Sequence, residues 1–94
     1  MNLAAFKASL DGPAPLPGLG RALEALWFAA MGDWDGAHRL AQAQKDKAGD
    51  WVHAYLHRVE GDEGNAGYWY RRAGKPHATG PLEREWDEIV SALL

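Results

Sequence analysis

One short pattern occurs twice in the chain and limits the folds that the chain can adopt. Gly32-Asp33 is followed by Ala37, and a shift of 29 residues places Gly61-Asp62 and Ala66 on the same pattern. Glycine can end a helix in a left-handed conformation, aspartate can cap the next helix, and a small alanine lets two helix backbones approach closely. The repeat therefore predicts two helical hairpins, each turning at a Gly-Asp pair.

The spacing of apolar residues predicts an all-α protein of about five or six helices, because no segment sustains the alternation of a strand. We expect a single domain over residues 1–94. Its predicted parts are a capping helix over 1–10, a Pro- and Gly-rich linker over 11–20, a first hairpin over 21–47, a second hairpin over 50–73 and a capping helix over 81–94. Ala48-Gly49 is expected to end the first hairpin, and Asp50 to cap the helix that follows. The two terminal helices would then cover the two ends of the hairpin pair.

The composition is that of a small globular domain and excludes several classes of function. Hydrophobic residues make up 47% and charged residues 24% of the chain, as in ordinary globular proteins. A net charge of −3 argues against general nucleic-acid or acidic-membrane binding. The chain has no cysteine, so thiolate metal sites and cysteine nucleophiles are excluded. No apolar run is long enough to cross a bilayer and no signal peptide is evident, so we expect a cytoplasmic location.

The two hairpins resemble tetratricopeptide and Sel1-like repeats. These repeats carry a small residue in the first helix, glycine at the turn and alanine in the second helix. The matching positions are Ala25, Gly32 and Ala37 in the first hairpin and Ala54, Gly61 and Ala66 in the second. The run from Tyr68 to Ala73 is also similar to the Trp-Tyr-x-x-Ala close of a Sel1 repeat. The resemblance covers roughly residues 19–76 and implies a module that binds a protein or peptide partner, or a second copy of itself.

A second resemblance lies in the middle of the chain. The segment from Trp51 to Arg58, with Glu60-Gly61-Asp62 and Asn65-Ala66, is similar to a group of small bacterial proteins. That group supplies no activity to carry over.

Histidines and carboxylates share one stripe of the predicted third helix. Asp50, His53, His57 and Glu60 are spaced at i, i+3, i+7 and i+10, which places them on one helix face. Two histidines four residues apart can share a divalent metal, Glu60 could add an oxygen ligand, and His38 could complete the set from the neighbouring helix. The alternative is that these histidines are polar edge residues, hydrogen-bonded to other helices or to solvent. Outside this candidate site the sequence implies no cofactor.

A basic and aromatic cluster lies around the second hairpin. Arg58, Arg71 and Arg72 could bind carboxylate or phosphate groups through paired hydrogen bonds, and Tyr68 adds a stacking surface. The alternative is a solvated face in which arginine stems cover aromatic rings.

Two functions follow from these patterns. The first is a protein or peptide interaction module, which rests on the architecture of the repeats. The second is a small metal- or anion-binding protein, with or without enzymatic activity, that uses His53, His57 and Glu60 with the arginines. The sequence favours no enzymatic reaction, because no hydroxyl lies in a nucleophile motif and Ala54 stands where the zinc metalloprotease motif requires glutamate.

Overall fold

The computed structural model describes residues 1–94 and contains α-helices and no strand, which confirms the predicted all-α class. The helices are α1 (Leu3–Ala8), α2 (Arg21–Ala30), α3 (Trp34–Ala43), α4 (Lys47–Val59), α5 (Glu63–Ala73) and α6 (Leu82–Leu93), with one turn of 3-10 helix at Ser9–Asp11 after α1. None of these helices has the length and apolarity that are needed to span a bilayer.

The two Gly-Asp turns have the same backbone geometry. Gly32 and Gly61 both have φ of 83°, the left-handed conformation that glycine adopts without strain. The amide of Asp33 donates to the Phe28 carbonyl at 3.0 Å, and the amide of Asp62 donates to the His57 carbonyl at 2.9 Å. These two bonds end α2 and α4 in the same way. The chain then reverses, so that α3 packs against α2 and α5 packs against α4.

Both aspartates of these turns cap the helix that follows. The Asp33 side chain accepts a hydrogen bond from the Gly36 amide at 2.9 Å, and the Asp62 side chain accepts one from the Asn65 amide at 3.1 Å. Ala37 and Ala66 are fully buried, so each hairpin has its small residue where the two helices pack together.

The boundary between the hairpins differs from the sequence prediction. Helix α3 ends at Ala43 and Asp46 caps α4, so the hairpins span residues 21–43 and 47–73. Gly49 lies in the first turn of α4 rather than at the end of α3, and its amide donates to the Asp46 side chain at 2.8 Å. A Cβ atom at Gly49 would stand 1.8 Å from the Gln44 carbonyl oxygen. This glycine therefore allows a close backbone approach and is not the predicted C-cap.

The terminal helices contact each other instead of lying at opposite ends of the hairpin pair, where the sequence analysis places them. Helix α6 packs against α2 and α4, and α1 packs against α6. The Phe6 and Trp86 rings are 5.7 Å apart, and the Trp86 indole N–H donates to the Leu26 carbonyl at 2.8 Å. The apolar stripe of α6 is thereby buried on the hairpins, and α1 covers part of α6.

Helix α4 is the central element, because it contacts α2, α3, α5 and α6. Its apolar residues Val52 and Leu56 join the main core. The two histidines of α4, His53 and His57, lie beside α3 and α5 and are also buried. The fold thus places two imidazole side chains on a helix that is covered on several sides.

Candidate metal centre

Three histidines from two helices converge at the junction of the hairpins. His38 comes from α3, and His53 and His57 come from successive turns of α4. The Nε2 atoms of His38 and His53 are 2.9 Å apart, and one ligand nitrogen from each of the three rings lies within 4.8 Å of the others. His53 is 3% exposed and His57 8% exposed. The structure therefore brings together the three histidines that the sequence offers as candidate ligands.

Two tryptophans hold the planes of two of these rings. Trp34 stacks on His38 with centroids 4.8 Å apart, and Trp69 stacks on His53 with centroids 3.9 Å apart. The Trp34 indole N–H also donates to the Leu56 carbonyl at 2.6 Å, which fixes α3 against α4. The imidazoles are therefore oriented by packing before any ligand binds.

Trp34 and Trp69 are not among the site residues that the sequence predicts. A signal for Trp34 was present, because it precedes His38 by four residues and side chains at that spacing meet on a helix. Trp69 belongs to α5, and its contact with His53 depends on how two helices pack. No spacing within one helix predicts that contact.

Glu60 contacts His57 on the side of Nδ1. Its Oε1 lies 2.8 Å from that nitrogen, which leaves Nε2 of His57 as the nitrogen available to a metal. Carboxylates that bond the second nitrogen of a ligating histidine fix its tautomer and orientation. Glu60 thus stands where an orienting residue would stand.

Burial favours the neutral form of the His38 and His53 imidazoles. Burial, with smaller effects from the neighbouring His38 and His57, lowers the pKa of His53 to about 4. Burial also lowers the pKa of His38, and His57 adds to this effect, while the charges of Glu60 and Asp35 oppose it. Neutral imidazole is the form that binds metals. At neutral pH these two rings need not lose a proton to act as ligands.

The spacing of the His38 and His53 nitrogens is close to that of a metal site. With Zn–N bonds of 2.0–2.1 Å, two nitrogens on a tetrahedral zinc are separated by about 3.3 Å. The observed separation of 2.9 Å between His38 and His53 requires the rings to move apart by only a few tenths of an ångström. The same separation also fits a hydrogen bond in which one neutral imidazole donates its N–H to the other. The residues therefore fit either a metal or a histidine hydrogen bond.

The structure separates Arg58 from the other members of the predicted basic cluster. Its Nη1 donates to Glu85 Oε1 at 2.8 Å, and both side chains are buried at 9% and 4% exposure. Its Nη2 bonds the Gly80 carbonyl, and Glu85 also accepts a hydrogen bond from the Tyr70 hydroxyl. Burial, followed by this hydrogen bond, raises the pKa of Tyr70, so its hydroxyl remains a donor. Arg58 thus joins α4 to α6, and both of its terminal nitrogens form bonds within the chain.

Tyr68 and Arg72 stay together on the surface of α5. Arg72 Nη1 lies 3.4 Å from the Tyr68 hydroxyl, and its guanidinium carbon lies 5.1 Å from the Trp69 ring centroid. Arg72 Nε is 3.6 Å from an Asp50 carboxylate oxygen. Arg71 is exposed. Of the three predicted arginines, Arg72 alone reaches the surroundings of His53, through Trp69.

Comparisons with known proteins give no relative on which to base a function. The chain matches no protein-family model, and neither the curated protein sequences nor the solved structures contain a significant match to it.

Proposed function

We propose that this protein binds one divalent transition-metal ion, of the type of zinc, through His38, His53 and His57. The observation that carries the proposal is the convergence of one nitrogen from each of these rings within 4.8 Å. Imidazole nitrogens suit zinc, copper, nickel and iron, whereas calcium and magnesium prefer oxygen ligands. The number and type of ligands thus select the class of metal.

The surroundings of the rings support this proposal. Trp34 and Trp69 hold two of the imidazoles from their faces, and Glu60 bonds Nδ1 of the third. Residues that contact the ligands but not the metal are typical of metal sites, where they orient the ligands and raise their basicity. A merely structural histidine needs one hydrogen-bond partner and does not need two neighbouring histidines.

Three histidines leave a zinc ion one coordination position short of four. Structural zinc sites use four protein ligands, whereas sites that bind water or substrate use three. When bound, zinc would supply a polarised water or an attachment point for an exogenous ligand. The three-histidine set therefore favours a binding or reactive site over a structural zinc site.

The protein-interaction alternative has less support from the fold. Helix α6 packs against α2 and α4, the first helices of both hairpins, so the chain itself occupies part of the hairpin surface. The large apolar residues that remain exposed come from separate segments, and they are Met1, Leu16, Met31, Val59, Tyr68, Leu82 and Leu94. Nothing in this distribution indicates a partner of particular chemistry.

Titration of the metal-free protein with Zn²⁺ in a calorimeter tests the proposal. We expect one ion per chain, and we expect His38→Ala, His53→Ala and His57→Ala each to weaken binding by more than the about 10- to 100-fold that loss of a residue contacting only a ligand causes. His77→Ala is the matched control, because His77 is the fourth histidine of the chain and bonds Glu63 on the surface instead. Absence of saturable binding, or equal binding by the His38→Ala and His77→Ala variants, would overturn the proposal.

A further inference from the structure

A cavity of about 400 Å³ lies between α1, the end of α2, α4 and the start of α6. Tyr55 of α4 lines it and stands two residues from both His53 and His57, a spacing that places side chains on opposite sides of a helix. Pockets for small molecules have volumes of about 300–1,000 Å³, a range that excludes the cavity of about 190 Å³ beside His53. The larger cavity is therefore big enough for a small molecule and is separate from the metal centre.

The wall of this cavity is mostly apolar. It is formed by Leu10, Ala30, Leu82 and the Trp86 ring, together with Tyr55. The indole N–H of Trp86 is already donated to a backbone carbonyl of α2 at 2.8 Å, so the ring offers the cavity its apolar surface. A ligand that fills this space therefore has an apolar body.

The Tyr55 hydroxyl has no hydrogen-bond partner in the chain, although its residue is only 7% exposed. No fully buried polar side-chain atom of the protein lacks a partner, so this hydroxyl reaches open space, and the open space that Tyr55 lines is the cavity. The other buried tyrosine, Tyr70, bonds Glu85 instead. Burial and then the charge of Glu85, opposed by Arg58, raise the pKa of Tyr55 to about 12. The cavity thus contains a neutral hydroxyl that is free to bond a ligand.

The charged groups around the cavity favour a cationic ligand. Lys7 lines it, but its Nζ contacts both carboxylate oxygens of Asp87, at 3.0 and 3.3 Å. Glu83 also lines the cavity and forms no ion pair within the chain. The charges of Asp87 and Glu83 contribute, after burial and Glu85, to the raised pKa of Tyr55, so their field reaches its hydroxyl. One carboxylate beside this hydroxyl therefore remains without a cation.

We propose that this cavity binds a small primary amine with an apolar body, whose ammonium group bonds the Tyr55 hydroxyl and the Glu83 carboxylate and whose body packs on Trp86. An ammonium group is a donor only, and the hydroxyl and the carboxylate both accept. A carboxylate ligand would be repelled by Glu83 and Asp87, and an uncharged ligand would lose the attraction of Glu83. This binding site goes beyond the proposed function and does not depend on the metal.

An NMR titration of the whole ¹⁵N-labelled protein tests the inference, with the chemical shift of the Trp86 indole N–H as the signal. The three probes are 2-phenylethylamine, 2-phenylethanol and 3-phenylpropanoate, which share a phenylethyl body and end in a positive, a neutral and a negative group. We expect a saturable shift with the amine and the lowest Kd for it, weaker binding of the alcohol, and the weakest binding of the propanoate. The Kd of the amine should be the same with and without Zn²⁺.

Two variants and a matched control assign the contacts. Tyr55→Phe keeps the ring in the core and removes only the hydroxyl, and we expect it to raise the Kd of the amine about 10-fold, as loss of a hydrogen bond to a charged group does. Glu83→Gln should raise it about 3-fold, the size of an exposed ion pair, and should leave the Kd of the alcohol unchanged. Glu88→Gln removes the same charge from an exposed position of α6 outside the cavity and should leave the Kd of the amine unchanged.

Several results would overturn this inference while the metal site stands. They are the absence of a saturable shift with the amine, binding of the alcohol or the propanoate at least as tight as that of the amine, an unchanged Kd in a folded Tyr55→Phe protein, and equal Kd values for Glu83→Gln and Glu88→Gln. Loss of Zn²⁺ binding with the amine site intact would instead overturn the proposed function alone.

Discussion

His38 and His53 lie on different helices, and their Nε2 atoms are 2.9 Å apart. Neither residue belongs to a Gly-Asp turn, and these turns place α3 against α2 and α5 against α4. The short connection from α3 to α4 places His38 beside His53. Trp34 and Trp69 then hold the two rings from outside the pair. The histidine contact is therefore a product of how the hairpins are joined.

The stability of the metal-free protein should decrease as the pH falls from about 6.5 toward 4. Because burial, with smaller effects from His38 and His57, lowers the pKa of His53 from its ordinary value of 6.5 to about 4, the unfolded chain binds a proton in this interval that the folded chain does not. The stabilisation is present above the pKa of the unfolded state and is lost as the pH falls to that of the folded state. We expect His53 to contribute on the order of 2 kcal/mol to this loss.

Urea unfolding at several pH values measures this contribution. The His53→Gln protein should show a flatter dependence on pH in the same interval, and His77→Gln should keep the wild-type slope. Parallel curves for wild type and His53→Gln would show that His53 is not the group responsible.

Replacing Glu85 by glutamine should destabilise the protein by about 3 kcal/mol, because it leaves the buried Arg58 guanidinium without a charged partner. Glu85 is 4% exposed and accepts hydrogen bonds from Arg58 and Tyr70. Glu88→Gln removes the same charge from an exposed position on the same helix and should change stability by less than about 0.5 kcal/mol. Denaturant unfolding compares the two, and equal stabilities would mean that the Arg58–Glu85 pair does not hold α6 in place.

Gly49→Ala should destabilise the protein by about 2 kcal/mol, the range of an overpacked contact. The added Cβ would stand 1.8 Å from the Gln44 backbone oxygen, so the chain between α3 and α4 would have to move. Gly64 offers the matched control, since it lies in the first turn of α5 and its nearest contact would be 3.8 Å away. There alanine should stabilise the helix by up to about 1 kcal/mol. Thermal unfolding measures both variants. A shift of the melting temperature in the same direction for Gly49→Ala and Gly64→Ala would contradict the close approach of Gly49 to the Gln44 carbonyl.

Local patterns predicted the helices and the caps of the repeated turns. The Gly-Asp pairs are short-range signals, because ending one helix and capping the next depends only on residues within about one helix turn. The same kind of reasoning failed at Gly49, because its glycine serves a contact with Gln44 rather than the end of a helix. It also misplaced the terminal helices, whose positions depend on which apolar faces meet.

The site was partly predictable for the same reason. The spacing of His53 and His57 on α4 is local, and it predicted that the two rings share a face. The position of Arg58 was not predictable, because its partner Glu85 is 27 residues away and belongs to α6. The cavity beside His53 combines residues of α4 and α5 with the end of α3, and only the packed structure brings them together.

The most direct test of the metal centre is X-ray absorption at the zinc edge of the Zn²⁺-loaded protein. We expect a first shell of three imidazole nitrogens and one further light atom, with Zn–N distances of 2.0–2.1 Å. Scattering from the outer atoms of the imidazole rings should account for three histidines in the wild type and two in any zinc retained by His38→Ala. A shell of oxygen atoms without the imidazole signature, or an unchanged spectrum in the His38→Ala protein, would contradict a site built from His38, His53 and His57.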